Sequence, residues 1–173
     1  MASQHRPTGF TEAQLSVIDE LSALPFPEHE ERPGTAGGWG GPGYRVAVLR
    51  ESRDFWEDCS AETVDAAEEE LAADLDALAA VLTARWGSPR TVELWPYLGF
   101  DHPDPEFVAP EPLGFLSNVA ASMRLWQPPS SGRWLALAIG QADRELPFEL
   151  IAAFGEACSW STEWATDPWS APG

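Results

Sequence analysis

Residues 60–89, SAETVDAAEEELAADLDALAAVLTARWGSP, decide the fold. Val64, Ala67, Leu71, Leu75, Leu78, Leu82 and Trp86 recur at helical spacing and trace a single apolar stripe. Ser60 is a good N-cap, because its hydroxyl can accept a hydrogen bond from an otherwise unpaired amide of the first turn. Gly87 followed by Pro89 ends the run. The spacing predicts a helix from Ala61 to about Trp86, about 39 Å long at 1.5 Å per residue, the width of a domain of this size. A helix that long with one apolar face is expected to lie across a sheet.

The neighbouring sequence supplies that sheet. Tyr44–Arg50 alternates as a strand, with Tyr44, Val46 and Val48 on one face, and Thr91–Trp95 is a short strand that Pro96 ends. Val119–Trp126 and Arg133–Ile139 read as a hairpin across residues 127–132. In that reading Met123 and Leu125 share a face with Leu135, Leu137 and Ile139, and Arg124, Trp126, Trp134 and Ala136 take the other. Toward the termini, Thr11 as N-cap with Gln14 as the partner of a capping box starts a helix that reaches about Leu24 and stops at Pro25. Leu146-Pro147 opens a last helix that Gly155 closes. The expected fold class is α+β: an antiparallel sheet of about four strands covered by one long acidic helix, with shorter flanking helices at both termini.

Between the first helix and the first strand, residues 25–43 hold four Pro and six Gly, and are read as a linker or loop without regular structure. The chain therefore divides into 1–43, a helix plus a Gly/Pro-rich linker; 44–157, a single α+β domain; and 158–173, a Trp-rich acidic tail.

At 173 residues with 44% apolar side chains, the chain can bury a cooperative core without disulfide or metal staples. Its charge is lopsided: 28 acids against 10 bases give a net charge of −18, and every base is Arg. A surface of that sign argues against binding phosphate backbones or anionic lipid, so neither nucleic acid nor membrane is an expected partner. With no apolar run long enough to span a bilayer and no signal-like apolar region in residues 1–10, a soluble cytoplasmic protein is expected. Cys59 and Cys158 lie far apart and are read as thiols.

Catalytic signatures are missing from the pattern. Schiff-base chemistry and phosphate-binding loops of the P-loop type need lysine, and the sequence has none. No serine sits in a nucleophile elbow, and the cysteines have only His5, His29 and His102 as possible bases. Asp101–Glu106 gathers carboxylates and His102 but matches no ligand-loop spacing, so it is read as an acidic turn held by prolines rather than a metal site. Glu28–Glu31 raises the same question with less force. No cofactor and no metal are expected.

The distribution of acids is more telling. Residues 51–80 contain eleven Asp or Glu and one Arg. Glu62 and Asp65 complement the helix dipole, but Asp65 with Glu69 and Glu70 with Asp74 are like-charge pairs at i, i+4 with no base interleaved. Glu62, Asp65, Glu69, Glu70, Asp74 and Asp76 are therefore the candidate face for a basic protein. Among the nine tryptophans, Trp56, Trp86, Trp95, Trp126 and Trp134 sit in or beside predicted elements and are read as core, and Trp160 and Trp164 are read as packing back on the sheet. Trp39 and Trp169 lie in linker and tail and are the candidate aromatic anchors for a partner.

The leading expectation is thus a non-catalytic acidic protein-binding module, an inhibitor or immunity-type partner of a basic protein such as a nuclease or toxin. The alternative is a small-ligand protein or enzyme with a site under the Gly-rich loop, using His102 or Asp101 as acid or base; its mark would be a deep apolar pocket beneath residues 34–43 that contains a carboxylate or His of perturbed pKa. A third is a scaffolding domain with no ligand.

Overall fold

The computed structural model describes residues 9–31, 38–129 and 131–156. In chain order the elements are α1 (Gly9–Ala23), β1 (Trp39–Gly41), β2 (Tyr44–Glu51), α2 (Ala61–Trp86), β3 (Arg90–Glu93), a 3-10 turn (Trp95–Leu98), α3 (Leu113–Val119), β4 (Ser122–Trp126), β5 (Arg133–Gly140) and β6 (Glu149–Glu156). The class is α+β, and the sheet has six strands in the order β1-β2-β6-β5-β4-β3, every neighbouring pair antiparallel. No helix among the described residues is long and apolar enough to cross a membrane.

Helix α2 forms where its stripe places it. The Ser60 hydroxyl accepts from the Thr63 amide at 3.3 Å, and Gly87, at a φ of 92° that favours glycine, donates its amide back to the Thr83 carbonyl at 2.8 Å. Hydrogen bonds from the Thr63 hydroxyl and from Ser60 pull the exposed Asp58 carboxyl down to about 2.

Two strands beyond the expected four come from misread segments. The run Leu150–Phe154 is not a helix but the middle of β6, a central strand buried on both faces. A doubly buried strand shows no alternation, and its alanines imitate a helical run. Gly155 is not a helix cap; it lies opposite Trp134, whose indole occupies the space a side chain there would need. The second addition, β1, rises from the Gly/Pro-rich segment: Pro42-Gly43 makes a two-residue turn with Gly43 at a φ of 84°, and Trp39–Gly41 folds back on Tyr44–Val46. Residues 25–43 are thus not wholly irregular. Helix α1 and strand β1 pack directly on α2 and β2, so residues 9–31 and 38–43 join the same body as the main sheet.

The hairpin forms, but its faces differ from the expected ones. Leu125 pairs with Ala136 and Trp126 with Leu135, which puts Trp126 rather than Met123 and Leu125 on the side of Leu135 and Leu137. Val119, expected to open the hairpin's first strand, ends α3 instead, and that strand begins at Ser122.

The resulting sheet is covered on both sides. On one face Ala47, Trp126, Leu135, Leu137, Leu150, Ala152 and Phe154 pack against Ile18 and Leu21 of α1 and Leu75, Leu78, Ala79 and Leu82 of α2. On the other, Val46, Val92, Met123, Leu125, Trp134, Ala136, Ile151 and Ala153 pack against Leu94, Tyr97, Ala109, Leu113 and Leu116 of the segment between β3 and β4. Polar contacts fasten the helical layer. A bulge in β2 between Val48 and Arg50 turns Arg50 to the helix side, where it bonds Asp74 at 3.0 Å and Glu70 at 3.3 Å. Gln14, expected to close a capping box, donates instead to Asp74 at 3.1 Å. Arg133 of β5 donates to the Leu21, Ser22 and Leu24 carbonyls at the end of α1, its guanidinium 4.0 Å from the Phe26 ring.

Two predictions follow from this packing. Gly155→Ala would bring a methyl to 2.4 Å from the Trp134 ring, so the variant is expected to lose about 1–3 kcal/mol as other overpacked cores do, read as a lower denaturation midpoint with an unchanged slope. Glu149 faces Glu51 across β2 and β6; burial, then the hydrogen bond and charge of Glu51, raise the Glu149 carboxyl above its usual range. A raised carboxyl pKa favours the protonated fold, a contribution present below the unfolded-state pKa and lost as pH rises through the folded-state one. Glu149→Gln should therefore stabilise at neutral pH by about a few tenths of a kcal/mol, and denaturant titrations near about pH 4 should find that gain gone.

Candidate functional site

The six acids singled out on α2 do not act as one surface. Glu62, Asp65 and Glu69 stand on the outward side, opposite the buried Leu71, Leu75 and Leu78, exposed and without an ion pair among the described residues. The other three hold the fold. Asp74, only 15% exposed at its side chain, accepts from both Arg50 and Gln14, Glu70 pairs with Arg50, and Asp76 pairs with Arg124 of β4 at 3.0 Å.

The tryptophans exchange roles as well. Trp39, expected to face a partner, is 5% exposed in β1 and packs edge-on against Phe115 at 4.9 Å. Trp56, expected in the core, is 64% exposed. The adjacent Phe55 takes the core position, T-shaped against Phe148 at 5.6 Å, and backbone bonds from Ser52 to Phe148 and from Phe55 to Glu145 pin the loop in that orientation. With Phe55 turned in, Trp56 is left exposed, directly before Glu57 and Asp58 in the sequence and four residues ahead of the Ser60 cap of α2. Trp95 is likewise exposed, whereas Trp126 and Trp134 are buried as expected. Trp169, with Trp160, Trp164 and Cys158, lies outside the described residues. Cys59 is an exposed free thiol.

A second surface lies on the opposite face of the sheet, between β1 and the proline-rich segment that covers it. There a groove of about 620 Å³ is lined by aromatic rings, among them Trp39, Tyr44, Tyr97, Phe107 and Phe115, and by the carboxylates of Glu30, Glu31 and Glu111. Backbone and side-chain bonds bring Glu30 there. The Glu31 amide donates to the Gly40 carbonyl at 2.8 Å, laying residues 30–31 along β1, and the Tyr44 hydroxyl donates to Glu30 Oε1 at 2.6 Å. Gly41 makes the approach possible, since a Cβ there would meet Glu30 Oε2 at 2.5 Å. Glu111 accepts the Phe115 amide at 3.0 Å. Burial first, then the bond to Glu30 and the charges of Glu30, Glu111 and Glu31, push the Tyr44 phenol well above its ordinary range and keep it a donor. At the rim Phe100 and Val108 project into solvent, 84% and 83% exposed.

The groove lies beneath β1, close to where the small-ligand alternative places a pocket, but His102 and Asp101 are not inside it. His102 is exposed, stacks on Phe107 at 4.0 Å and accepts the Asp104 amide through Nδ1 at 3.0 Å. Ser117, within the lining, donates to the Gly114 carbonyl at 3.0 Å, and no His, Lys or Arg stands among the described residues of that lining to activate it. The Asp101–Glu106 carboxylates form a turn through the Asp104 bond to the Glu106 amide at 3.0 Å, and no cluster of three or more potential ligands suited to a metal occurs among the described residues.

Sequence reasoning touched Glu30 and Glu31 only through the metal question raised for Glu28–Glu31, and singled out none of Glu111, Tyr44 and Trp56 as parts of a site. The groove residues come from segments up to 88 positions apart, from Glu30 to Asn118, and no local spacing encodes that meeting. Trp56 carried a signal that was available: it follows Phe55 directly, and two adjacent aromatics in a short loop rarely both enter one core.

No family model, curated protein or solved structure matches this chain.

The division of the α2 acids is open to a stability test. Asp74→Asn removes a partly buried charged acceptor and should cost about 1.5–3 kcal/mol. Replacing Glu62, Asp65 and Glu69 together with Gln, Asn and Gln should change the unfolding free energy by less than about 0.5 kcal/mol, because all three are exposed. Chemical denaturation of the two variants side by side reads the difference.

Proposed function

We propose that the protein is a non-catalytic acidic binding module whose partner is a basic protein, in the manner of an inhibitor or immunity-type partner of a nuclease or toxin. The observation that carries this reading is the outward face of α2, where Glu62, Asp65 and Glu69 stand exposed and without an ion pair among the described residues, while Arg50 and Arg124 are engaged by Glu70, Asp74 and Asp76. Stability alone would mix signs on such a face. A run of carboxylates on a rigid helix presents the charge pattern that a phosphate-binding surface recognises, and its field accelerates encounter with a cationic surface.

Trp56 supplies the contact that charge alone lacks. A large ring that stays in solvent next to the acidic turn can enter a partner's pocket, and buried aromatic anchors dominate the energy of such interfaces. It takes the anchor role expected of Trp39, which is buried. Localisation in the cytoplasm, where the bound partner would have to be neutralised, belongs to the same proposal.

The test begins with a tagged bait exposed to native lysate at about 50 mM and about 500 mM salt, followed by mass spectrometry of what is retained. A basic protein held at low salt and released at high salt is the expected result; an empty bait at both salts overturns the reading. With that protein in hand, the Glu62→Gln, Asp65→Asn, Glu69→Gln variant should slow association by about tenfold and flatten its salt dependence. Trp56→Ala should act mainly on dissociation. An on-rate indifferent to the triple substitution would remove the helix from the interface.

A further inference from the structure

The geometry points to the groove between β1 and residues 94–118 as the docking site for an arginine side chain carried on an apolar segment of the basic partner, an inference that rests on the proposed function above. Glu30, Glu31 and Glu111 put three carboxylates on one concave surface, and no cation stands among the described residues that line it. Rings of Trp39, Tyr44 and Tyr97 form its walls. Carboxylates beside aromatic faces suit a guanidinium, which stacks on a ring while its N–H groups bond oxygen; a compact ammonium uses only the charge. The site is also partly organised in advance. The Tyr44 hydroxyl and the Phe115 amide hold Glu30 and Glu111 in place, so their ordering is not left to the moment of binding.

The rim decides between a protein segment and a free small cation. Phe100 and Val108 line the groove at its outer edge, almost fully exposed, and a small ion held by the carboxylates would leave most of their apolar surface in water. Aliphatic side chains flanking an arginine on a peptide would cover both. The groove, of about 620 Å³, falls within the range of sites that bury drug-sized groups.

The test is an NMR titration of the full ¹⁵N-labelled chain with three probes: the blocked peptide Ac-Ser-Leu-Arg-Val-Ser-NH2, the same peptide with neutral citrulline for arginine, and agmatine. The arginine peptide is expected to shift amide signals of Glu31, Gly40, Gly99 and Gly114, and to bind about tenfold more tightly than the citrulline peptide. Glu31→Gln, at an exposed position, should erase most of that preference. Phe100→Ser with Val108→Ser should weaken the peptide several-fold and leave agmatine unchanged. Shifts confined to the amides of residues 62–69 would overturn the groove as the site and leave the acidic-module reading standing. Agmatine binding as tightly as the peptide, with no effect of the rim substitutions, would make this a small-cation site and overturn the docking of a segment. No response to the arginine peptide would overturn the inference whether or not the lysate bait retains a basic protein, and that separate experiment alone decides the module reading.

Discussion

Strands β5 and β6 have almost no polar face. From Trp134 to Ala138 and from Leu150 to Gly155 every residue is buried, so both sides of the sheet must be kept from water. One side is covered by regular helices. The other is closed by residues 94–118, a segment with too many prolines for a long helix, which packs through Leu94, Tyr97, Leu113 and Leu116 and pairs its backbone in short turns. A helix meets a sheet edge evenly, whereas a winding cover does not. Where this cover passes the three-residue β1, the space between them remains open, and the groove is a consequence of how the second face is covered.

Charge follows the same division between structure and surface. Asp74 is bonded from α1 by Gln14 and from β2 by Arg50, and it is the β2 bulge that gives Arg50 this direction. A one-residue change of register would turn Arg50 toward the opposite layer. Part of the acidity of α2 is therefore spent on joining three elements in a partly buried setting, where a charged hydrogen bond is worth more than at the surface. Only the remainder of the acidic run is free to act on something outside the chain.

What the sequence made legible follows from locality. The α2 boundaries, with Ser60 and Gly87 as caps, depend on neighbours within four positions, and the structure reproduces them. The α+β class and the hairpin between β4 and β5 come from the same kind of signal. Hairpin register was not legible, because the six residues between Trp126 and Arg133 fix no turn type, and a slip by one exchanges the faces. β6 was hidden because a strand buried on both sides has no period to read. β1 was hidden by glycines that do two things at once: Gly43 turns the chain, while Gly41 makes room for Glu30. Of the candidate site, the outward acids were legible as pattern; the groove was not, since Glu30 acquires its meaning from Tyr44 and from a segment some eighty residues further on.

The two acidic surfaces lie on opposite faces of the sheet, and this limits how they can cooperate. Each packed layer adds about 10 Å, so the outward side of α2 and the mouth of the groove are separated by about two layers, well beyond the Debye length of about 8 Å at physiological salt. Charge removed from one is scarcely felt at the other, and substitutions at the two should combine additively. The helix face, with its acids exposed, acts through its field and so governs encounter; the groove, concave and walled by rings, acts only on contact and so governs residence. A partner that used both would have to pass around the sheet edge at β1, the strand that also forms one wall of the groove. β1 is thus the element through which an otherwise independent pair of surfaces could be spanned by one chain.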